Sequence, residues 1–351
     1  MKSADSQIRA TKMKRSVILM LGLMIACLFV QAQPASGFYN VVDGKKEAAV
    51  KSALFDVVSP TLNRDFNSQS YSDLWTAFYT TDCRPDGKVW DMYSNITNYI
   101  FGTNQDKGSH SSEGKAYNRE HSFPKSWFGG EKKPMYTDLF HLYPTDGYVN
   151  ERRGNLPFGE VGSTTYTSVG GFSKVGPCKL DGYSGIVFEP ADEYKGDFAR
   201  TYFYMVTAYE DDLPGWPGCE MLDGTTYPSF ETWAIHMLLR WHRLDPVSQK
   251  EIDRNNAVEK IQGNRNPFID YPALVEFIWG DYMTMPVDVK GLTLYSNDYD
   301  TSVSAPAETM PVKVYDIAGR EVKSVEGRRG MFIFVYTNPD GSLRAQKQSI
   351  K

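Results

Sequence analysis
A carboxylate, an imidazole and a side-chain amide lie close together in sequence near the middle of this chain. Glu120 and His121 are adjacent in Tyr117-Asn118-Arg119-Glu120-His121-Ser122-Phe123-Pro124. Asn150 follows 29 residues later, in Val149-Asn150-Glu151-Arg152-Arg153-Gly154-Asn155. These three side-chain types match the needs of phosphodiester hydrolysis. A water must lose a proton as it attacks phosphorus, and a neutral imidazole with a pKa of about 6.5 accepts it well near neutrality. Charge then builds on the phosphate oxygens and the leaving oxygen, where a hard divalent cation stabilises it. Such a cation takes oxygen ligands and keeps several waters, so one carboxylate and one amide oxygen are sufficient from the protein. His121 is thus the candidate base, with Glu120 and Asn150 the candidate ligands.

The elements that would position them follow from the intervening residues. His121 ends one strand, Phe128-Gly129-Gly130 signals a turn, and residues 139–143 form a second strand returning alongside. Thr145 or Asp146 then caps a short helix that carries Asn150. Adjacent residues on a regular strand face opposite sides, so Glu120 and His121 share a site only where strand geometry lapses. Cations cluster in sequence around this unit: Lys115, Arg119, Lys125, Lys132, Lys133, Arg152 and Arg153. Of these, Arg119, Arg152, Arg153, Lys132 and Lys133 are the candidate phosphate contacts. His141, one of only five histidines, is a candidate supporting residue rather than the base. Asn155 is the runner-up ligand, and Arg265 either braces its own loop or touches phosphate.

Outside the unit, residues 45–58 read as a helix, and 60–195 as loops with short strands. Asp197 and Ser229 are candidate caps for two helices, running through Val206 and Trp241. Asp245-Pro246 is expected to open a third, to about residue 261, and 272–279 a short fourth. The fold class expected is α+β, with helices around a small strand element. A polar stretch at 296–305 separates this region from a tail, 306–351, that reads as a small β unit. Its expected strands are residues 312–320 and 331–336, with a turn at Asn338-Pro339-Asp340-Gly341.

Five bases and one acid precede or lie within an apolar run over 17–30, which ends in Val30-Gln31-Ala32. This is the layout of a secretory signal peptide, residues 1–32, and the run falls short of a membrane span. Its removal takes the formal charge from −5 to −9. A nucleic-acid partner would therefore be held by a local basic cleft and a metal rather than by the global field. Cys83, Cys178 and Cys219 remain, which allows one disulfide and a free thiol or none. A binding protein displayed at the surface, recognising glycan or protein without catalysis, is the competing function. A zinc protease lacks its His-Glu-x-x-His signature.

The segments Asn118-x-Glu120-His121-x-x-Pro124 and Asp138-Leu139-x-His141-Leu142-x-Pro144 followed by Val149-Asn150-x-x-Arg153-x-Asn155 are similar to those of the endonuclease I family. So is Gly263-Asn264-Arg265-Asn266-Pro267-Phe268, together with Trp241-His242-Arg243-Leu244-Asp245-Pro246. The likeness spans roughly residues 45–290, within a nuclease domain placed at 33–295. It implies a ββα-metal (His-Me finger) core, endonuclease action on DNA and often RNA without sequence preference, and Mg²⁺, with Ca²⁺ or Mn²⁺ as alternatives. It implies His121 as base, Glu120 and Asn150 as metal ligands, and 5′-phosphate products. It also implies a secreted or periplasmic location. Phe140 stands where many relatives have a further histidine. The loop between the motifs is short and offers Lys132 and Lys133 where some relatives place an arginine. The tail resembles the C-terminal sorting domains of Bacteroidetes export systems, which implies contact with export machinery or the cell surface.

Overall fold
The computed structural model describes residues 33–105 and 110–301, and within the tail 313–316, 320–322, 325, 329–337 and 343–350. The signal peptide, residues 302–305 of the linker and the turn at 338–341 lie outside the described residues. The fold is α+β. Helix α1 (Glu47–Val58) and α2 (Leu74–Thr81) precede a two-stranded antiparallel sheet of β1 (Tyr117–His121) and β2 (Leu142–Asp146). Helix α3 (Gly147–Arg153) leaves β2 directly. A second antiparallel sheet follows, β3 (Tyr166–Thr167), β4 (Lys174–Pro177) and β5 (Ile186–Glu189). Five helices complete this region: α4 (Lys195–Ala208), α5 (Thr232–Leu244), α6 (Gln249–Gln262), α7 (Pro267–Asp270) and α8 (Leu274–Trp279).

Helix α4 is the pillar. Every residue from Gly196 to Ala208 is buried, as expected of a helix enclosed on all sides. It packs against α1, α5 and α7 and, through tyrosine and threonine hydroxyls, against the β1–β2–α3 unit. Tyr202 donates to the Ser122 carbonyl (2.9 Å), and Thr201 pairs with the Tyr143 hydroxyl (2.7 Å). Tyr204 and Tyr209 both donate to one oxygen of Asp138 (2.8 and 2.7 Å). Buried hydroxyls need such partners, and here each partner is a backbone or side-chain group of the unit.

Several helix starts differ from the sequence reading. Asp197 lies inside the first turn of α4, where its carboxylate pairs with Lys250 (2.7 Å) instead of capping. Ser229 has φ +76°, and α5 starts three residues on, after Glu231. Helix α6 opens at Ser248, not Asp245, because Ser248 and Glu251 form a reciprocal capping box. Helix α2 was expected to be loop. Its sequence, Leu-Trp-Thr-Ala-Phe-Tyr-Thr-Thr, is rich in weak helix formers. Packing against α6 holds it, as does Arg254 on Asp82 (2.9 Å) at its C-terminus.

The tail forms a three-stranded antiparallel sheet, β6 (Lys313–Asp316), β7 (Gly330–Thr337) and β8 (Leu343–Ile350). Its small apolar cluster, Val322, Phe332 and Phe334, is distinct from the main core. The third strand was absent from the sequence reading. Cys83, Cys178 and Cys219 are all unpaired thiols. Among the described residues, no helix is long and apolar enough to cross a membrane.

Candidate active site
Strands β1 and β2 pair with Glu120 opposite Tyr143 and His121 opposite Leu142. The second strand starts at Leu142 because Asp138 first caps a tight turn over Leu139–His141, accepting from the Phe140 N–H (2.9 Å). Asp146 ends β2 and caps α3, accepting from the Tyr148 and Val149 N–H groups (2.9 Å each). Its other oxygen takes Tyr99 and the Gly114 N–H (2.5 and 2.8 Å), while Asp91 accepts its backbone N–H (3.0 Å). This network fixes where α3 leaves the sheet, and so where Asn150 stands.

Glu120 is buried and surrounded by donors. Its Oε1 accepts from Arg153 (2.9 Å) and the Tyr93 hydroxyl (2.7 Å). Burial pushes its carboxyl upward, opposed by Arg153, Tyr93, the Asn150 amide and the His121 N–H. Asn150 is half-buried, and its Nδ2 donates to Asn118 Oδ1 (2.6 Å). Because that amide nitrogen serves Asn118 and Glu120, Oδ1 is the atom left for a ligand. The Asn150 side chain thus lies close enough to Glu120 for its amide to act on the carboxylate. Among the described residues, no group of three or more His, Cys, Asp or Glu side chains encloses a metal. One carboxylate with one amide oxygen fits a hard cation that retains water, not a closed zinc cage.

His121 ends β1 on the other face, 8% exposed. Its ring stacks on Tyr136 (5.1 Å between centroids, 17°) and Tyr71 (6.0 Å, 16°), and its Nε2 meets the Tyr136 carbonyl at 3.0 Å. A carbonyl only accepts, so Nε2 carries the hydrogen and Nδ1 is the basic nitrogen. Burial, then the neighbouring His141, hold its pKa well below the usual imidazole value. The ring is therefore neutral and ready to accept a proton at pH 7.

The other expected site residues divide. Arg119 shares the His121 face: its guanidinium lies over Tyr71 (3.5 Å) and Trp75 (4.4 Å), donates to the Tyr71 carbonyl, and keeps Nε without a partner. Lys133 reaches the Gln69 carbonyl (3.1 Å). Lys132 lies across Gly129, where a Cβ would sit 2.8 Å from its Nζ. Both flank the segment whose Tyr136 carbonyl holds His121. Arg152 is exposed on α3, donating to the Tyr148 hydroxyl (2.8 Å).

Arg153 corrects the sequence reading. It is 1% exposed and is spent on Glu120, the His121 and Ser122 carbonyls (2.9 and 2.6 Å) and Tyr202 (3.3 Å). It holds the carboxylate and the strand end and has no reach to a phosphate in solvent. His141 is fully buried behind His121, at 5.4 Å between rings, with Nε2 on the Met135 carbonyl (2.7 Å). Asn155 is exposed beyond the end of α3, outside the Glu120–Asn150 pair. Arg265 is locked onto Asp270, Glu259 and Asn256 and braces the loop before α7. Sequence reasoning passed over Asn118 and Tyr93. Asn118 was detectable, since a residue two before Glu120 on a strand shares its face. Tyr93 lies 27 residues from Glu120 in an irregular segment and left no such signal.

Comparison with known proteins identifies the family. The sequence profile described as Endonuclease I matches residues 47–273. An extracellular ribonuclease of Bacillus amyloliquefaciens is 36% identical over 249 residues, 69% of this chain and 78% of that protein. The extracellular ribonuclease of Bacillus subtilis (strain 168) matches to the same extent. An extracellular deoxyribonuclease of Aeromonas hydrophila is 30% identical over 142 residues, 40% of this chain and 52% of that protein. With the profile covering well over half of its length, this chain belongs to the Endonuclease I family and is an endonuclease.

Proposed function
We propose that this chain is a secreted, divalent-metal-dependent endonuclease that hydrolyses DNA and RNA without sequence preference, through a ββα-metal core built on β1, β2 and α3. What supports the reading is the approach of the Asn150 amide to the buried Glu120 carboxylate, with His121, the next residue along β1, neutral and its tautomer set by the Tyr136 carbonyl. Glu120 and Asn150 would hold Mg²⁺, with Ca²⁺ or Mn²⁺ as alternatives. When bound, that ion supplies charge stabilisation for the phosphate and the leaving oxygen. His121 Nδ1 takes the proton of the attacking water. The P–O3′ bond breaks, leaving a 5′-phosphate and a 3′-hydroxyl. Arg153 and Tyr93 hold Glu120 through these steps, and Asn118 aims the Asn150 amide. Lys132, Lys133 and Arg152 are the surface cations proposed to bind the phosphate backbone, contacts that carry no base information, whereas Arg119 is buried against Tyr71 and Trp75.

RNA as a substrate is supported by the Bacillus relatives, whose names say ribonuclease. DNA is supported by the Aeromonas relatives, named deoxyribonucleases. Secretion is supported by the leader reading and by the extracellular and periplasmic names of those relatives. The tail at 306–351 is proposed to serve export, beyond a linker at 296–305. Digestion of single- and double-stranded DNA and RNA, with Mg²⁺ and with chelator, tests the proposal. Cleavage that depends on the cation is expected; intact substrates under both conditions would defeat it.

A further inference from the structure
We propose that a hollow beside α3 is a stacking subsite for an unpaired nucleobase next to the scissile bond; this rests on the nuclease reading and names a part of the substrate that reading leaves open. The hollow measures about 560 Å³, within the range of small-molecule sites, and its walls include Glu113, Tyr148, Tyr166 and Thr167. The Tyr148 and Tyr166 rings stand 6.2 Å apart at 69°. A base laid on the face of one ring meets the edge of the other, a favoured aromatic arrangement. The Arg152 guanidinium sits 4.6 Å from the Tyr148 centroid and 6.0 Å from that of Tyr166. A cation at the rim with two rings behind it is the pairing that takes a nucleotide, phosphate outside and base within.

A further observation points to a ligand. The Glu113 carboxylate is pinned at the wall, Oε1 accepting from Ser94 (2.5 Å) and Oε2 from the Val169 N–H (2.8 Å). Each oxygen keeps acceptor capacity for a ring or exocyclic N–H on a base edge. Gly170 and Gly171, at φ +74° and +76°, keep side chains off that part of the wall.

The place on α3 decides which nucleotide is read. Tyr148 and Arg152, four residues apart, share one flank of the helix. Asn150 lies on the other, about 200° around, with exposed Glu151 on the arc between them. The helix width of about 10 Å separates the hollow from the Glu120–Asn150 pair, so the base bound belongs to a flanking nucleotide. Every base has a π face, so the subsite is sequence-tolerant. In a duplex that face is already covered by neighbouring bases, so single strands profit.

The test uses single-stranded oligonucleotides with one ordinary phosphodiester among phosphorothioate linkages, made abasic at one flanking position at a time. One flanking position is expected to lose roughly fivefold or more in kcat/KM with the intact protein. That loss should vanish in Tyr148→Leu and Tyr166→Leu and persist in Tyr166→Phe, which keeps the ring. If no position responds, or if the loss is equal in all four proteins, the hollow is not a base site. If the unmodified strand is never cut, the nuclease reading fails instead. Fluorescence anisotropy with a labelled single strand then decides the subsite, and equal affinity in the intact protein and both Leu variants would overturn it.

Discussion

Arg153→Met should expose how strongly the site depends on a hidden guanidinium. The Arg153 and Glu120 side chains are 1% and 5% exposed and 2.9 Å apart. Removing one partner of such a pair leaves a bare buried charge, at a cost of about 3–5 kcal/mol. Two backbone carbonyls, of His121 and Ser122, lose their donor as well, which places the loss toward the upper end. For a domain of this size each kcal/mol shifts Tm by about 2–4 °C, so a fall of roughly 6–20 °C is expected. Glu120→Gln/Arg153→Met contains no bare carboxylate. It should lose less than the two single variants together, with a coupling of about 1–3 kcal/mol. Millimolar Mg²⁺ should restore part of the Tm in Arg153→Met, where the carboxylate seeks a cation, and none in the double variant. Thermal unfolding followed by circular dichroism reads all four proteins. Additive losses with no response to Mg²⁺ would refute the reasoning that Arg153 neutralises a cation-binding carboxylate.

Other expectations follow from the same geometry. His121→Ala should lower cleavage by about 10²- to 10⁴-fold with an unchanged circular dichroism spectrum, and retained activity would remove it as the base. Asn118→Ala frees the Asn150 amide to rotate, so the Mg²⁺ needed for half-maximal rate should rise while the rate at saturating Mg²⁺ is largely kept; a Mg²⁺ titration of initial rates checks this. Far from the site, burial and then Asp197 push the Asp245 carboxyl up to about 6. The folded state therefore favours its protonated form, and that contribution to stability, complete below about pH 4, is lost as pH rises through about 6. Asp245→Asn, which stays neutral, should melt higher than the parent at pH 7 and equally at pH 4, as measured by thermal unfolding at the two values.

The β1–β2–α3 unit was legible because its signals are local. Asp146 is a strong cap immediately before the helix, and a Gly-Gly turn separates the segments that become the two strands. Glu120, His121 and Asn150 are proposed as the site on residue type and spacing. What the sequence concealed is set by tertiary contact. Helix α2 has little propensity of its own and forms because α6 and Arg254 hold it. Arg152 and Arg153 are adjacent and chemically identical, yet α3 turns one outward and buries the other against Glu120. Their opposite fates depend on the helix phase relative to α4, which no single residue encodes. Tyr93 reaches Glu120 from an irregular loop, where periodicity has nothing to report.

The account's central claim is that Glu120, His121 and Asn150 act together on one cation and one phosphate. Initial cleavage rates as a function of Mg²⁺, compared for the intact protein, Asn150→Ala, Asn155→Ala and His121→Ala, test it most directly. The expected result is a curve displaced to higher Mg²⁺ for Asn150→Ala, an unmoved curve for Asn155→Ala, and a rate lowered by about 10²-fold or more for His121→Ala at every Mg²⁺ concentration. A displaced curve for Asn155→Ala with Asn150→Ala unmoved, or a His121→Ala rate within about tenfold of the intact protein at saturating Mg²⁺, would contradict it.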